Sequence, residues 1–359
     1  MAGRREVYVC GADEGIVTKP PIAFQLLAPA QAEVLHCGPA GNITVQHLAP
    51  AGSYNASTAS SLDESHLQEC QQAQQRQKEH WAPAPETGRI SLTEILAALD
   101  ENRFRLFAQK IIPTQEGSRS NGGPNYELLL RMVDPQGKLV MPIDFIPTAE
   151  RNNIMADIDR WVLREALLRC DERIARMPNF SISINLSAQS LNDPRFPGFL
   201  QDVMAKTCLP PNHVTFEITE TALIDNLQGA AALLEQLRGM GCRIALDDFG
   251  VGLCSFYYLK YFKVDYIKIE GSFVRNIDSC AVDLAIVKAI NQMAHDLKIQ
   301  TVAEFVKDAA VLKRLRELKV DFSQGYGVGM PGPLEDLLQA AQEEKPQRIR
   351  KTTRARKVA

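Results

Sequence analysis

The chain of 359 residues predicts an α/β fold: a closed (β/α)8 barrel with one antiparallel strand, preceded by a poorly structured N-terminal segment. Three observations predict it. From Ser91 onward, short apolar runs alternate with longer amphipathic stretches, the pattern of a parallel sheet wrapped by helices. The alternation runs for roughly 240 residues as one domain, the size that favours a closed barrel over an open sheet. The first two runs have no helix between them, and the stretch joining them contains Gly122-Gly123-Pro124. That is a hairpin signal, and it sets the first strand antiparallel to the rest.

The elements follow in order. Ser91-Leu92-Thr93-Glu94 is a capping box opening a helix that runs to about Asn102. Strands are expected at 104–111, 126–133, 181–186, 214–218, 243–246, 266–269, 300–303 and 321–323. Helices are expected at 143–151, 157–176, 197–206, 226–240, 281–297 and 307–318. Ala230, Leu233, Leu234 and Leu237 share one helical face, and Gly239-Met240-Gly241 closes that helix.

Residues 1–90 differ in kind. They are rich in Ala, Pro, Gly, Gln and Ser, and Ala51 to Ser61 has the composition of a linker. They are read as a low-information segment, with 91–340 as the barrel and 341–359 as a basic, disordered tail. Net charge is −3, and the seven Lys and Arg after Glu344 leave −10 on the remainder. That balance argues neither for nor against a nucleic-acid partner; the tail is read as a solvated end, with weak nucleic-acid or anionic-lipid contact as the alternative, and no DNA is expected. Eight scattered cysteines form no Cys-x-x-Cys pair, so neither a disulfide framework nor a zinc site is expected. No apolar run reaches membrane-spanning length. The expected location is cytoplasmic.

The chemistry lies where the acidic residues fall. Val214–Phe216 is followed by Glu217, Ile244–Leu246 by Asp247-Asp248, Ile267–Ile269 by Glu270, and Thr301–Ala303 by Glu304. Ile182–Ile184 is followed by Asn185, and Glu127 opens Leu128–Arg131. An unpaired carboxylate at the edge of a core is costly, so its repetition at strand ends points to a ring of oxygen ligands. Hard oxygen donors without a Cys or His cluster favour Mg2+ or Mn2+, and adjacent Asp247-Asp248 suits two ions. Lys268 falls among them, and Arg131 with the Gly250–Gly252 loop suits a phosphate. Read alone, these residues fit either metal-assisted phosphoryl transfer or metal-assisted proton abstraction of the enolase type.

Taken together, Glu127-Leu-Leu-Leu-Arg131, Asn185-Leu-Ser187, Glu217-Ile-Thr-Glu220, Asp247-Asp-Phe-Gly250, Lys268-Ile-Glu270, Ala303-Glu304 and Gln324-Gly-Tyr326 resemble, in order, the motifs of the EAL domain. This is a family of bacterial cyclic di-GMP phosphodiesterases. The resemblance spans about Phe104 to Leu338 and implies a TIM-like barrel that hydrolyses cyclic di-GMP to linear pGpG with Mg2+ or Mn2+ at a two-metal site. It implies Glu127, Asn185, Glu217, Asp247 and Glu304 as metal ligands, with Asp248 and Glu270 serving the second ion. It places Lys268 on the nucleophilic water with Gln324 close by, Glu220 as the holder of the loop after Asp248, and Gln109 and Arg131 on the ligand. It also implies a homodimer through the region after Asp248, including Phe256–Phe262. Residues 1–90 match neither of the sensor or cyclase domains that usually precede this barrel; they are either a remnant of an upstream signalling domain, and a contact for a protein partner, or simply disordered. Three departures stand out. The usual Lys-Ile-Asp ends in Glu270, the usual Thr or Ser after Asp-Phe-Gly is Val251, and the usual second Glu of Ala-Glu-x-Val-Glu is Lys307. Many members with such losses bind the dinucleotide without cutting it, so the alternative is a cyclic di-GMP receptor that signals to a protein partner.

Overall fold

The computed structural model describes residues 33–37, 43–47, 89–115, 125–169, 180–225, 227–251 and 259–343. The chain divides into two compact units, Met1–Glu64 and Ser65–Ala359. In the first, strands β1 (Glu33–Cys37) and β2 (Ile43–His47) pair antiparallel, with Glu33 opposite His47. The composition of that region gave no sign of this hairpin.

In the second unit, α1 (Leu92–Asp100) starts where the capping box predicts, with Ser91 Oγ accepting from the Glu94 amide at 3.2 Å. The barrel strands are β3 (Phe104–Pro113), β4 (Tyr126–Val133), β6 (Ile182–Asn185), β7 (Val214–Thr219), β8 (Arg243–Phe249), β9 (Tyr266–Ile269), β10 (Gln300–Ala303) and β11 (Phe322–Gln324). They neighbour one another in that order, and β11 pairs back onto β3, closing the barrel. β3 is antiparallel to both β4 and β11, and the other barrel pairs are parallel. Two short strands extend the sheet: β5 (Leu139–Val140) on β4 and β12 (Gly332–Pro333) on β3.

The long helices are α2 (Pro142–Arg151), α3 (Met155–Arg164), α5 (Phe196–Lys206), α7 (Leu227–Gly239), α9 (Ala281–Asp296), α10 (Ala309–Leu318) and α11 (Leu334–Glu343). All but α11 were expected, within about two residues at the starts. α3 passes into a π-helical turn at Glu165–Arg169, and the rest of the expected 157–176 helix lies outside the described residues. Three short helices were not anticipated: α4 (Ala188–Asn192), α6 (Glu220–Asp225) and α8 (Gly271–Val274). Each follows a barrel strand directly, and each is too short to show a 3.6-residue pattern. Gly122–Pro124, Gly252, Phe256–Tyr258 and the basic tail also lie outside the described residues.

One buried apolar layer fixes where the site sits. Ile111, Ala245, Tyr266, Val302 and Phe322 pack together, and the rings of Tyr266 and Phe322 meet nearly edge to face at 6.0 Å. Side chains alternate along a strand, so residues two apart share a face. Two positions further toward the strand ends stand Gln109, Asp247, Lys268, Glu304 and Gln324. The polar layer therefore rests on the apolar one, strand by strand.

Candidate active site

Lys268 is the centre of the site. It is 1% exposed, and its Nζ lies 2.6 Å from Glu217, 3.0 Å from Asp247, 3.0 Å from Glu304 and 3.5 Å from Glu127. β9 delivers it between β8 and β10, next to Val302 in register. Glu127 accepts on Oε1 from Asn185 Nδ2 at 2.9 Å and on Oε2 from Gln324 Nε2 at 2.6 Å. The Gln324 amide also donates to Gln109 Oε1 at 3.1 Å, and Gln109 donates to the Gly329 carbonyl at 3.0 Å. Seven of the residues expected at the site thus join in one continuous polar network around Lys268.

The two neighbouring aspartates reach the mouth together through a β-bulge. Between β8 and β9 the register runs Leu246–Ile267 and then Phe249–Ile269, so β8 carries one extra residue. Strict alternation would turn Asp247 and Asp248 to opposite faces. The bulge re-aims the second one, and Asp248 takes the left-handed conformation, φ +54°. Oxygens of Asp247, Asp248 and Glu304 then lie within 4.8 Å of one another.

The charges are unbalanced, with five carboxylates facing one ammonium. Burial pushes Glu217 well above the usual carboxylate range, and the nearby Glu127 and Asp247 add to it despite Lys268. Burial likewise lifts Glu304 to about 8, against the pull of Lys268. Burial and the charge of Asp247 lift Asp248 to about 6. Burial would raise Glu127 too, but Lys268 and the hydrogen bonds from Gln324 and Asn185 outweigh it, and its pKa falls. Lys268, although desolvated, is held charged by the surrounding carboxylates. A divalent cation suits this donor set. The donors are hard oxygens, and the buried Gln324 Oε1 has no hydrogen-bond partner among the described residues.

The remaining expected residues surround this core. Glu220 is buried at the start of α6, just after Thr219, which is level with Asp247. Arg131 is buried in β4, its guanidinium 5.3 Å from the Phe107 ring centre. A cavity of about 220 Å³ lies beside it, lined by Leu129, Arg131, Pro142, Ile158, Asp159 and Asn185. Glu270 is the exception. It is the N-cap of α8, and its carboxylate accepts from the Ser272 amide at 2.8 Å and from the Ser272 hydroxyl. Of the other departures, Val251 is exposed, and Lys307 pairs with Asp278 at 3.3 Å, which absorbs the reversed charge.

Sequence reasoning missed Asp159. Its Oδ2 accepts from the Ser187 amide (2.9 Å), the Ser187 hydroxyl (2.7 Å) and the Ser190 hydroxyl (2.6 Å). Those bonds fix the turn that leaves Asn185. One signal was present: Met155, Ile158, Val162 and Leu163 form the buried stripe of α3, and Asp159 lies in that stripe.

Comparison with known proteins agrees with the geometry. Residues 93–331 match the EAL domain family. The chain is 38% identical over 240 residues to the cyclic di-GMP phosphodiesterase PdeB of Shewanella oneidensis, covering 67% of this chain and 28% of that protein. It is 37% identical over 247 residues to the cyclic di-GMP phosphodiesterase PdeF of Escherichia coli, covering 69% and 32%. The chain therefore spans about a third of the length of these curated relatives. Among solved structures, the FimX EAL domain from Pseudomonas aeruginosa bound to c-di-GMP is similar with a TM-score of 0.62 at 31% identity, covering 67% of this chain and 96% of that one. The PaMucR phosphodiesterase in its c-di-GMP complex is similar with a TM-score of 0.62 at 31% identity, covering 68% and 98%. With its closed barrel, its antiparallel first strand and a carboxylate-lined mouth around Lys268, the chain belongs to the EAL domain family.

Proposed function

We propose that this domain hydrolyses cyclic di-GMP to linear pGpG with Mg2+ or Mn2+. The observation that carries the reading is Lys268, buried among four carboxylates at the strand ends. Glu127, Asn185, Glu217, Asp247, Asp248 and Glu304 would hold the divalent ions. Bound there, such ions supply Lewis acidity and neutralise charge developing on the phosphoryl group.

The chain's own residues do the rest. Lys268 is kept charged by its neighbours and can donate to the attacking water, orienting it toward phosphorus. Gln324 holds the Glu127 carboxylate in place and offers its free oxygen to the same space. Arg131 faces the ligand with Gln109, and the apolar cavity beside Arg131 suits a planar base. Glu220 secures the loop after Asp248. Water adds to phosphorus, one ester P–O bond breaks, and the leaving oxygen takes a proton.

The capped Glu270 favours a second reading, a receptor that holds the dinucleotide without cutting it and signals to a protein partner. A homodimer through the region after Asp248 is part of either reading, and light scattering at micromolar concentration tests it. The deciding assay offers cyclic di-GMP and Mn2+ to the purified chain and measures both binding and pGpG. Product supports the enzyme. Binding without product supports the receptor, and no binding removes both.

A further inference from the structure

Glu270 has the position of a site residue and the contacts of a structural one. It continues the inward series Tyr266, Lys268, Glu270 on β9, and Tyr266 and Lys268 are both buried. The last register pair between β9 and β10 is Ile269–Ala303, so the next residues on the two strands are Glu270 and Glu304. β9 lies between β8 and β10, which places the end of β9 between Asp247-Asp248 and Glu304. Asp248 feels the charge of Glu270. Yet among the described residues the oxygens that gather within 4.8 Å are those of Asp247, Asp248 and Glu304. The Glu270 carboxylate is bound to the amide and hydroxyl of Ser272 instead.

Ser272 is itself held still. α8 is wedged between the two loops that carry the cluster. On one side Gly271 lies against the Phe305 ring so closely that a Cβ there would sit 2.0 Å from it. Phe305 takes φ +52°, and Arg275 lies 5.3 Å from its ring centre. On the other side, a Cβ on Gly250 would meet the Phe273 ring at 3.1 Å. The helix cannot follow Glu270 if that side chain swings away, so the two hydrogen bonds must break.

We propose that Ser272 is a positioning residue that holds Glu270 off the carboxylate cluster, and that Glu270 joins the cluster only when a divalent cation draws it away. The inference rests on the metal-site reading above. Loading an ion beside Asp248 then works against the Ser272 contacts, which makes that ion the weaker of two. The buried Gln324 oxygen, without a hydrogen-bond partner among the described residues, belongs to the same mouth.

Calorimetric titration of the full chain with MnCl2 tests the proposal. Two affinities are expected in the wild type. Ser272→Ala removes the hydroxyl donor, and hydrogen bonds to charged groups are strong enough that the weaker affinity should tighten about five- to tenfold. The tighter affinity should stay within about twofold, since its ligands make no contact with Ser272. Ser272→Thr keeps a hydroxyl and should restore the wild-type values. Glu270→Gln should lose the weaker ion. Ser272 is exposed, so these changes remove no packing. An unchanged or weakened second affinity in Ser272→Ala, or a retained one in Glu270→Gln, overturns the proposal while leaving the metal site intact. Absence of Mn2+ binding in the wild type overturns the metal site itself, and this proposal with it.

Discussion

Lys268 Nζ lies 2.6 Å from Glu217 Oε2, and both side chains are at most 2% exposed. The pair bridges β9 and β7 across β8, with Asp247 3.0 Å from the same ammonium. Lys268 is therefore the counter-charge of the four carboxylates around it. Lys268→Met should lower stability by about 3 kcal/mol, as expected when one partner of a buried ion pair is removed. Mn2+ should recover most of that loss, because it replaces the missing charge. Turnover should fall at least about 100-fold, the usual cost of losing one preorganised electrostatic group, with nucleotide binding still measurable. Melting curves with and without Mn2+ provide the check. A variant that turns over cyclic di-GMP normally would remove Lys268 from the reaction.

The metal-free site should be less stable at higher pH. Glu304 is raised from 4.5 to about 8, and Glu217 is raised as well. Between those values the folded chain keeps a proton that the unfolded chain releases. Stability therefore falls as pH rises from about 5 to 8, by on the order of 1 kcal/mol per pH unit from Glu304, with Glu217 acting in the same direction. Mn2+ binding should strengthen over the same window and release protons. Thermal melts across that range, with and without Mn2+, read the slope directly, and a slope of the opposite sign in the metal-free chain would contradict this account.

Glu127→Ala, Asn185→Ala and Glu217→Ala should each abolish pGpG formation in a folded barrel. Ca2+ should suppress the activity that Mg2+ or Mn2+ supports, because it takes longer bonds and more ligands. Circular dichroism separates a lost ligand from a lost fold. Full turnover in EDTA would exclude the metal mechanism.

Asp159→Ala should act on Asn185 from a distance. It leaves the Ser187 amide and two hydroxyls without their acceptor, at a cost of about 1–3 kcal/mol. Mn2+ affinity should fall with it, while Asp159→Asn, which keeps one acceptor oxygen, should lose less. Equal and unimpaired Mn2+ binding in both would confine Asp159 to packing.

Deleting residues 1–88 should leave a folded barrel that still binds Mn2+ and cyclic di-GMP. Every site residue named here lies between Gln109 and Gln324. Loss of binding by a barrel that circular dichroism shows to be folded would move the functional boundary upstream.

The sequence by itself determined the barrel, most of its strands, the antiparallel first one and the strand-end carboxylates. These features are local: a period-two apolar run, its polar end and a loop too short for a helix all lie within about a dozen residues. Even so, local alternation misdescribes Asp248, because an extra residue in β8 becomes a bulge only when β9 pairs beside it. The same limit hid Asp159, whose role depends on a turn 28 residues away. It also hid the capping role of Glu270, where the residue has the spacing of a ligand and the contacts of a cap. The site itself was decided by the tertiary structure. Gln324 meets Glu127 across 197 residues and Lys268 meets Glu217 across 51. Such contacts are set by strand order and register, which only the closed barrel specifies. Barrel closure also draws four carboxylates around one buried lysine, and that shared burial, not any single residue, raises Glu304 and Glu217.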